Sequence, residues 1–308
     1  MLARLQQFIT LGLLTAAAVW AAVFFSRGQV AWAVVGALFI LLGYALFLAL
    51  EFILLWFVNR ADQTPNATPL QLLAAWWGEV TTTPRVFCWR QPFRSNAVAD
   101  FLPARATGAS AQAGVVFVHG YVCNRGLWNP LMEKLRARGV PFVAVNLEPV
   151  FGSIDNYTPL LAAAVQRVTM ATGLAPVLVA HSMGGLACRA WLKTVPDDAL
   201  PQRIITIGTP HNGTWLARFG STLNALQMRP GDAWQMALSA AESPLRLSRF
   251  ICFYGHADNI VFPASTATLP GADNRHIAAC AHVHMAYRAE VWVELLQQLK
   301  QLERGHSR

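Results

Sequence analysis

Residues 177–186 read VLVAHSMGGL, an apolar run followed by a serine among small residues. A strand, a sharp turn and a helix in this order present a serine hydroxyl as a nucleophile, which makes Ser182 the candidate. The neighbouring turn residues have a structural role in this interpretation: His181, Gly184 and Gly185. Ala180 stands where such turns usually have a glycine. Because alanine adds only one methyl group and the two glycines keep the far side open, we expect the turn to tolerate it.

A serine hydroxyl is a weak nucleophile until a base removes its proton and a carboxylate orients that base. In this type of turn the chain order is serine, acid, base. Asp258, in GHADNIVFP, follows an apolar run and is the expected acid, with Asp273 as the alternative in a Gly/Pro-rich connection. The segment CAHVHMA offers His282 or His284 as the base. We favour His282, because His284 suits the first turn of the following helix.

Acyl chemistry also needs two N–H donors for the developing oxyanion. One would be the backbone N–H of Met183, directly after the serine. The other is expected in the loop after an earlier strand, where FVHGY supplies a His-Gly turn. We therefore expect the backbone N–H of Tyr121 to be the second donor, with His119 and Gly120 shaping the loop.

These residues lie at the ends of short apolar runs that alternate with helical patterns. The predicted strands are 115–118, 140–147, 177–180, 204–207 and 250–254. The predicted helices are 127–138, 159–172, 185–195 and 286–303. Nearly continuous apolar strands separated by helices predict an α/β fold with a doubly wound, mostly parallel sheet. Chemistry then belongs at the carboxyl ends of the strands.

The N-terminal region has a different composition. Arg4 and Arg27 enclose 22 uncharged residues, and Arg27 and Glu51 enclose 23 more. Each run is long enough to cross a bilayer as a helix. A secretory signal followed by a buried helix is the alternative, but the first run exceeds a signal's apolar core.

These patterns predict three regions. Residues 1–60 form a transmembrane hairpin with helices at about 5–26 and 29–58. Residues 61–112 form a juxtamembrane helix and leading strands or a linker, including the connection at 103–114. Residues 113–308 form the catalytic domain.

The charges around the hairpin predict its orientation. Arg4 and Arg60 flank the outer ends whereas Arg27 is alone in the turn, so the positive-inside rule places the remaining chain in the cytoplasm, at a bacterial inner membrane. Five cysteines at scattered positions read as free, mostly buried thiols, which suits a reducing compartment.

The net charge of +8 comes from basic residues spread singly, so nucleic acid is not an expected partner, whereas an anionic membrane surface is. The histidine pair near the C-terminus lacks further ligands at metal-binding spacing, so we expect no metal and no cofactor. Nothing in the pattern indicates an oligomeric state.

Taken together, the motifs AHSMGG, VHGY, IGTPHNGT, QMRPGDAW and GHADNIVFP resemble those of α/β-hydrolases of the bacterial triacylglycerol lipase and esterase group, over roughly residues 113–300. The resemblance implies an α/β-hydrolase fold and a cap, or lid, over the site at about 211–249. In that group a glycine usually precedes the base, so Ala281 leaves both histidines open. The resemblance also implies that apolar lid residues line an acyl pocket: Trp215, Leu216, Phe219, Leu223, Leu226, Met228, Trp234 and Met236.

The resulting hypothesis is a membrane-anchored serine ester hydrolase that cleaves acyl esters or lipids through an acyl-enzyme on Ser182. Two alternatives remain. One is an acyltransferase or polyester depolymerase on the same scaffold, and the other is a catalytically silent, membrane-bound binding protein.

Overall fold

A six-stranded sheet forms the centre of the chain in the computed structural model, which describes residues 1–104, 111–196 and 201–306. All neighbouring strands pair in parallel, in the order β2-β1-β3-β4-β5-β6. The strands are β1 (Val115–Val118), β2 (Phe142–Ala144), β3 (Val177–His181), β4 (Arg203–Ile207), β5 (Phe250–Tyr254) and β6 (Asp273–His276). The predicted α/β class is confirmed.

Strand β6 was missed by the sequence analysis, and Asp273 begins it rather than lying in a turn. Its residues are polar and mostly exposed at the edge of the sheet. An edge strand with no buried face carries no apolar run or alternation by which it could be found.

Helices cover both faces of the sheet, and two clusters of buried apolar side chains fill the spaces between the layers. They are α5 (Asn129–Arg136), α6 (Thr158–Thr172), α7 (Met183–Leu192), α11 (His282–Met285) and α12 (Ala289–His306). Helix α6 ends at Gly173, which has φ of 79° and closes the last turn in the left-handed conformation that glycine allows. The helix predicted at 286–303 is α12, which begins and ends three residues later, and α11 is a separate short helix that precedes it.

A helical cap lies between β4 and β5. It contains a 3₁₀ turn (Trp215–Phe219) and helices α8 (Leu223–Gln227), α9 (Ala233–Ala240) and α10 (Pro244–Leu247). Arg189 of α7 ties the cap to the core, donating to both carboxylate oxygens of Glu242 at 2.7 Å and to the His211 carbonyl at 2.6 Å.

Two long apolar helices precede this domain, α1 (Leu2–Ser26) and α2 (Val30–Asn59). Each is long and apolar enough to cross a membrane, and the spans are only 6% and 11% buried. Large apolar side chains such as Phe8, Trp32 and Phe39 are exposed along them. A lipid environment would cover this surface.

The segment after the hairpin is mainly helical. Helix α3 (Pro69–Thr83) begins at a capping box of Thr68 and Gln71, then continues as a π-helical turn (Pro84–Arg90) and a short helix α4 (Gln91–Phe93). In place of leading strands, the described part of 61–112 has one isolated antiparallel bridge, from Phe101 to Phe142. Residues 105–110 of the predicted linker lie outside the described residues.

Helix α3 runs back along α2 instead of leaving the hairpin. The Tyr44 hydroxyl donates to the Val80 carbonyl at 2.8 Å, and the Trp76 indole donates to the Ala45 carbonyl at 3.0 Å. The second half of α2 is therefore packed on the α/β domain, whereas its first half projects from it.

Candidate active site

Ser182 occupies the sharp turn between β3 and α7. Its φ of 56° and ψ of −131° are strained for a residue with a side chain, at a cost of about 1–3 kcal/mol. Two hydrogen bonds hold the turn: the Ser182 N–H donates to the Ile207 carbonyl at 2.9 Å, and the Thr209 hydroxyl donates to the Ser182 carbonyl at 2.8 Å. The backbone is thus held in the conformation of a nucleophile elbow.

The loop side of this turn has no room for a larger residue. A Cβ on Gly184 would lie 2.6 Å from the His119 carbonyl oxygen, and one on Gly120 would lie 2.7 Å from Cβ of Ser182. Ala180 is on the other side, fully buried in β3, with its methyl group in the apolar core. The missing glycine of the motif is therefore at a position where a methyl group packs well.

Asp258 and His282 form a buried pair beside the turn. Nδ1 of His282 lies 2.9 Å from Oδ2 of Asp258, while Oδ1 accepts the N–H groups of Ile260 and Val261 at 2.9 and 2.8 Å. Burial by itself lowers the pKa of His282, but the Asp258 carboxylate outweighs it, so the net pKa lies above the ordinary value. When Nδ1–H of the neutral ring donates to the Asp258 carboxylate, Nε2 is the ring nitrogen that has a free lone pair.

The two alternative residues lie elsewhere. His284 is half-buried and its Nδ1 lies 3.8 Å from Sγ of Cys280. Asp273 pairs with Arg275 at 2.7 Å on the exposed edge strand. The structure therefore brings His282, not His284, to Asp258.

Three residues that the sequence analysis did not assign to the site hold the His282 loop. The side chain of Asn259 accepts the His282 N–H at 3.2 Å and donates to Glu51 of α2 at 2.6 Å. Glu79 of α3 accepts the N–H groups of Val283 and His284 at 3.1 and 3.0 Å. The signal for Glu51 was available, since an ionisable residue inside an apolar helix marks a functional position.

Burial dominates the electrostatics of Glu79. Its side chain is 2% exposed, which raises the pKa to about 7 although two N–H groups favour the charged form. This carboxyl group therefore titrates near neutral pH at the start of α11.

The predicted oxyanion donors belong to Tyr121, which lines a cavity together with Ser182, and to Met183, which follows Ser182 in the chain. Among the described residues, the backbone N–H groups of Tyr121 and Met183 have no hydrogen-bond acceptor. The Tyr121 loop is shaped by His119, whose Nε2 accepts the Leu147 N–H at 3.0 Å while Nδ1 donates to the Gly120 carbonyl at 2.9 Å. Burial lowers the pKa of His119 to about 4, so it is neutral and structural.

His181, the last residue of β3, contacts His282. Its Nε2 donates to the His282 carbonyl at 3.1 Å, and the two ring centroids are 4.6 Å apart. Burial and the neighbouring His282 place its pKa well below the usual range, so it is a neutral donor.

Two cavities meet at Ser182. The first, of about 320 Å³, contains Ser182 and His282 and is walled in part by Tyr44, Phe47 and Leu48 of α2. The second, of about 220 Å³, extends from Ser182 under the cap. Side chains of α2 are thus part of the cavity that contains the serine.

The cap contributes fewer residues to this second cavity than expected. Of the eight apolar residues predicted to line it, Leu216 and Met228 do so. The prediction was wrong for Phe219, Leu223 and Met236, whose side chains are more than half exposed. Apolar character does not define which face of a short helix turns inwards.

All five cysteines are free thiols, and four of them are buried. Within the described residues no group of three or more histidine, cysteine or acidic side chains is arranged to hold a metal ion.

A parallel sheet, a strained turn at a serine after β3 and a helical insertion after β4 together define a class of protein fold. Residues 115–303 match the model of the alpha/beta hydrolase family, and the chain belongs to that family.

Among solved structures, the mature lipase BlEst2 of Bacillus licheniformis is similar with a TM-score of 0.54 and 20% identity, over 64% of this chain and 95% of that one. Lipase B of Aspergillus fumigatus has a TM-score of 0.55 and 18% identity, over 65% of this chain and 55% of that one. At sequence identities of 20% and 18%, these similarities show that the fold is shared and nothing further. No curated protein matches the sequence.

Proposed function

We propose that this chain is a membrane-anchored serine hydrolase that cleaves carboxylic esters partitioned into the bilayer. The observation that carries the proposal is that His282, which is paired with the buried Asp258, lines the same cavity as Ser182, a serine held in a sharp turn. An acid, a base and a nucleophile in this order supply the chemistry of acyl transfer.

In the proposed reaction, the Ser182 hydroxyl oxygen attacks the ester carbonyl carbon as Nε2 of His282 takes its proton. The N–H groups of Tyr121 and Met183 donate to the oxyanion of the tetrahedral intermediate. That intermediate collapses, and the alcohol leaves with the proton from His282. Water then attacks the acyl-enzyme with His282 again as base, which releases the acid and restores Ser182.

The position of α2 supports a lipid-like substrate. Tyr44, Phe47 and Leu48 belong to a helix long enough to span a membrane, and they also wall the cavity beside Ser182. An ester dissolved in the bilayer would therefore meet an apolar surface that continues from the membrane to the nucleophile.

The length of the free hairpin supports the same view. Packing of α3 reaches Tyr44, so the projecting part of α2 is about 14 residues or ~21 Å, shorter than a hydrocarbon core of about 30 Å. Leu70, Leu73 and Trp77 are exposed on α3. If the hairpin spans the membrane, this face of the catalytic domain enters the near leaflet, where apolar and tryptophan side chains are favoured.

The test combines covalent labelling and turnover in the full-length, detergent-solubilised protein. Wild type should react with a fluorophosphonate probe and hydrolyse p-nitrophenyl esters, with kcat/KM rising from acetyl to octanoyl chains. Ser182→Ala should lose both activities. Ser248→Ala is the matched control, because Ser248 is exposed and bonds only within its own turn. Equal labelling of Ser182→Ala and wild type would refute the nucleophile.

A second arm separates hydrolysis from transfer. With the octanoyl ester and added glycerol, a hydrolase releases mainly octanoic acid, whereas an acyltransferase releases mainly glycerol ester. Preference for the acetyl ester would contradict the lipid-like substrate while leaving the serine chemistry in place.

A further inference from the structure

A third cavity, of about 320 Å³, is strongly basic, and neither Ser182 nor His282 is among the residues that line it. Arg85, Arg90, Lys134 and Arg288 line it, together with His284. No acidic side chain is among the described residues that line it. Like charges gathered in one concave space repel each other, and the repulsion is greater than in open water because the walls are of lower dielectric.

The π-helical turn explains why two of these arginines meet. In a π-helix the hydrogen bonds join residues five apart, as the Gln91 N–H does with the Val86 carbonyl. Arg85 and Arg90 are also five apart, so they lie one above the other on the same side. In an α-helix the same spacing would turn them about 140° away from each other. The wider turn therefore places both cations at one cavity.

Counter-charges for these cations are scarce. Arg288 pairs with Glu290 at 2.9 Å, but both side chains are about a third or more exposed, and such pairs contribute little. Nε of Arg288 is buried and has no hydrogen-bond partner among the described atoms. For Arg85, Arg90 and Lys134, no ion pair is formed with any acidic side chain of the described residues.

Two of the cations lie over aromatic rings instead. The guanidinium of Arg90 lies 5.1 Å from the ring centre of Tyr287, and Nζ of Lys134 lies 5.3 Å from that of Trp292. Cation–π contacts orient a charge without neutralising it. Burial and the nearby Arg288 lower the pKa of His284, which leaves a neutral ring at the same wall.

We propose that this cavity binds a phosphate-class oxyanion, carried either by an anionic phospholipid headgroup or by a free phosphate. Arginine forks and a lysine are the groups that bind phosphate oxygens, and an anion would relieve their mutual repulsion. The site is separate from the ester-cleaving cavity. It differs from general attraction of a basic protein to an anionic surface, because specific residues hold the anion.

The experiment counts bound lipid on the full-length protein by native mass spectrometry after extraction from phosphatidylcholine nanodiscs with added phosphatidylglycerol. Wild type should retain one phosphatidylglycerol. Arg85→Gln and Arg90→Gln should each weaken its binding about tenfold. Arg94→Gln is the matched control, since Arg94 is exposed, follows the same helical segment and does not line the cavity.

A second arm titrates inorganic phosphate into the detergent-solubilised protein and follows Trp292 and the other tryptophans by fluorescence. Binding of phosphatidylglycerol alone assigns the site to the lipid headgroup, and binding of inorganic phosphate assigns it to the free anion. Whichever of the two ligands binds, Arg85→Gln must weaken its binding and Arg94→Gln must not. Equal loss in both variants indicates diffuse attraction and overturns the proposal, as does equal binding by wild type and Arg85→Gln.

Folding of the variants does not obscure the result. Arg85 is exposed, so its replacement leaves the core intact. Arg90→Lys, which keeps the charge over Tyr287, should retain more binding than Arg90→Gln. Because bound lipid is counted directly, the test can fail or succeed whether or not the protein hydrolyses esters.

Discussion

The buried pair of Arg189 and Glu242 yields a prediction about how the cap is held. The side chain of Arg189 is fully buried and that of Glu242 is 4% exposed. Arg189 donates both to this carboxylate and to the Ser239 hydroxyl and His211 carbonyl of the cap. Replacing it with methionine leaves an unpaired buried carboxylate.

Breaking such a pair costs about 3–5 kcal/mol, because the remaining charge has lost its partner in a low-dielectric site. For a domain of this size, Arg189→Met should lower Tm by roughly 10 °C. Glu242→Leu should be similarly harmful, since it strands the guanidinium. The double variant removes both charges. Its loss in free energy of unfolding should therefore be smaller than the sum of the two single losses by at least about 2 kcal/mol.

The assay is thermal unfolding of the detergent-solubilised protein, followed by circular dichroism for wild type, both single variants and the double variant. Additive losses in the double variant would refute the reasoning, because they would mean that the two side chains do not stabilise each other. Single variants within 1–2 °C of wild type would refute it as well.

Three further predictions concern the site. His282→Ala should lower kcat/KM for an octanoyl ester by roughly 10⁴-fold or more, while His284→Ala, which leaves the contact with Asp258 intact, should stay near wild type. Because the pKa of His282 is raised and only the neutral ring accepts a proton, kcat/KM should fall on the acid side with an inflection above about 6.5, and an inflection below that pH would contradict the assignment. Burial raises the pKa of Glu79 to about 7. The protonated carboxyl group therefore contributes on the order of 3 kcal/mol to the free energy of unfolding below about pH 4.5, and this contribution is lost as the pH rises to 7. The Tm of Glu79→Gln should therefore fall less between pH 5 and pH 8 than the Tm of wild type. An equal fall in both proteins would count against a buried Glu79 that titrates in this range.

Much of the fold followed from local pattern. The strands 115–118 and 250–254 have the same bounds in the structure, because a strand buried on both faces needs an uninterrupted apolar run. The chain order serine, acid, base then selected Ser182, Asp258 and His282 as candidates, and these residues follow β3, β5 and β6. Polar edge strand β6 had no such pattern and could not be found.

The tertiary structure alone decided the rest. Whether Asp258 meets His282 or His284 depends on where α11 begins, and Glu79, 204 residues from Val283, sets that start. The sequence showed an apolar hairpin but not that α2 walls the cavity beside Ser182, nor that a π-helical turn brings Arg85 and Arg90 together. Local periodicity determines which residues form strands and helices, whereas contacts between distant elements exist only after the chain has packed, so no local pattern encodes them.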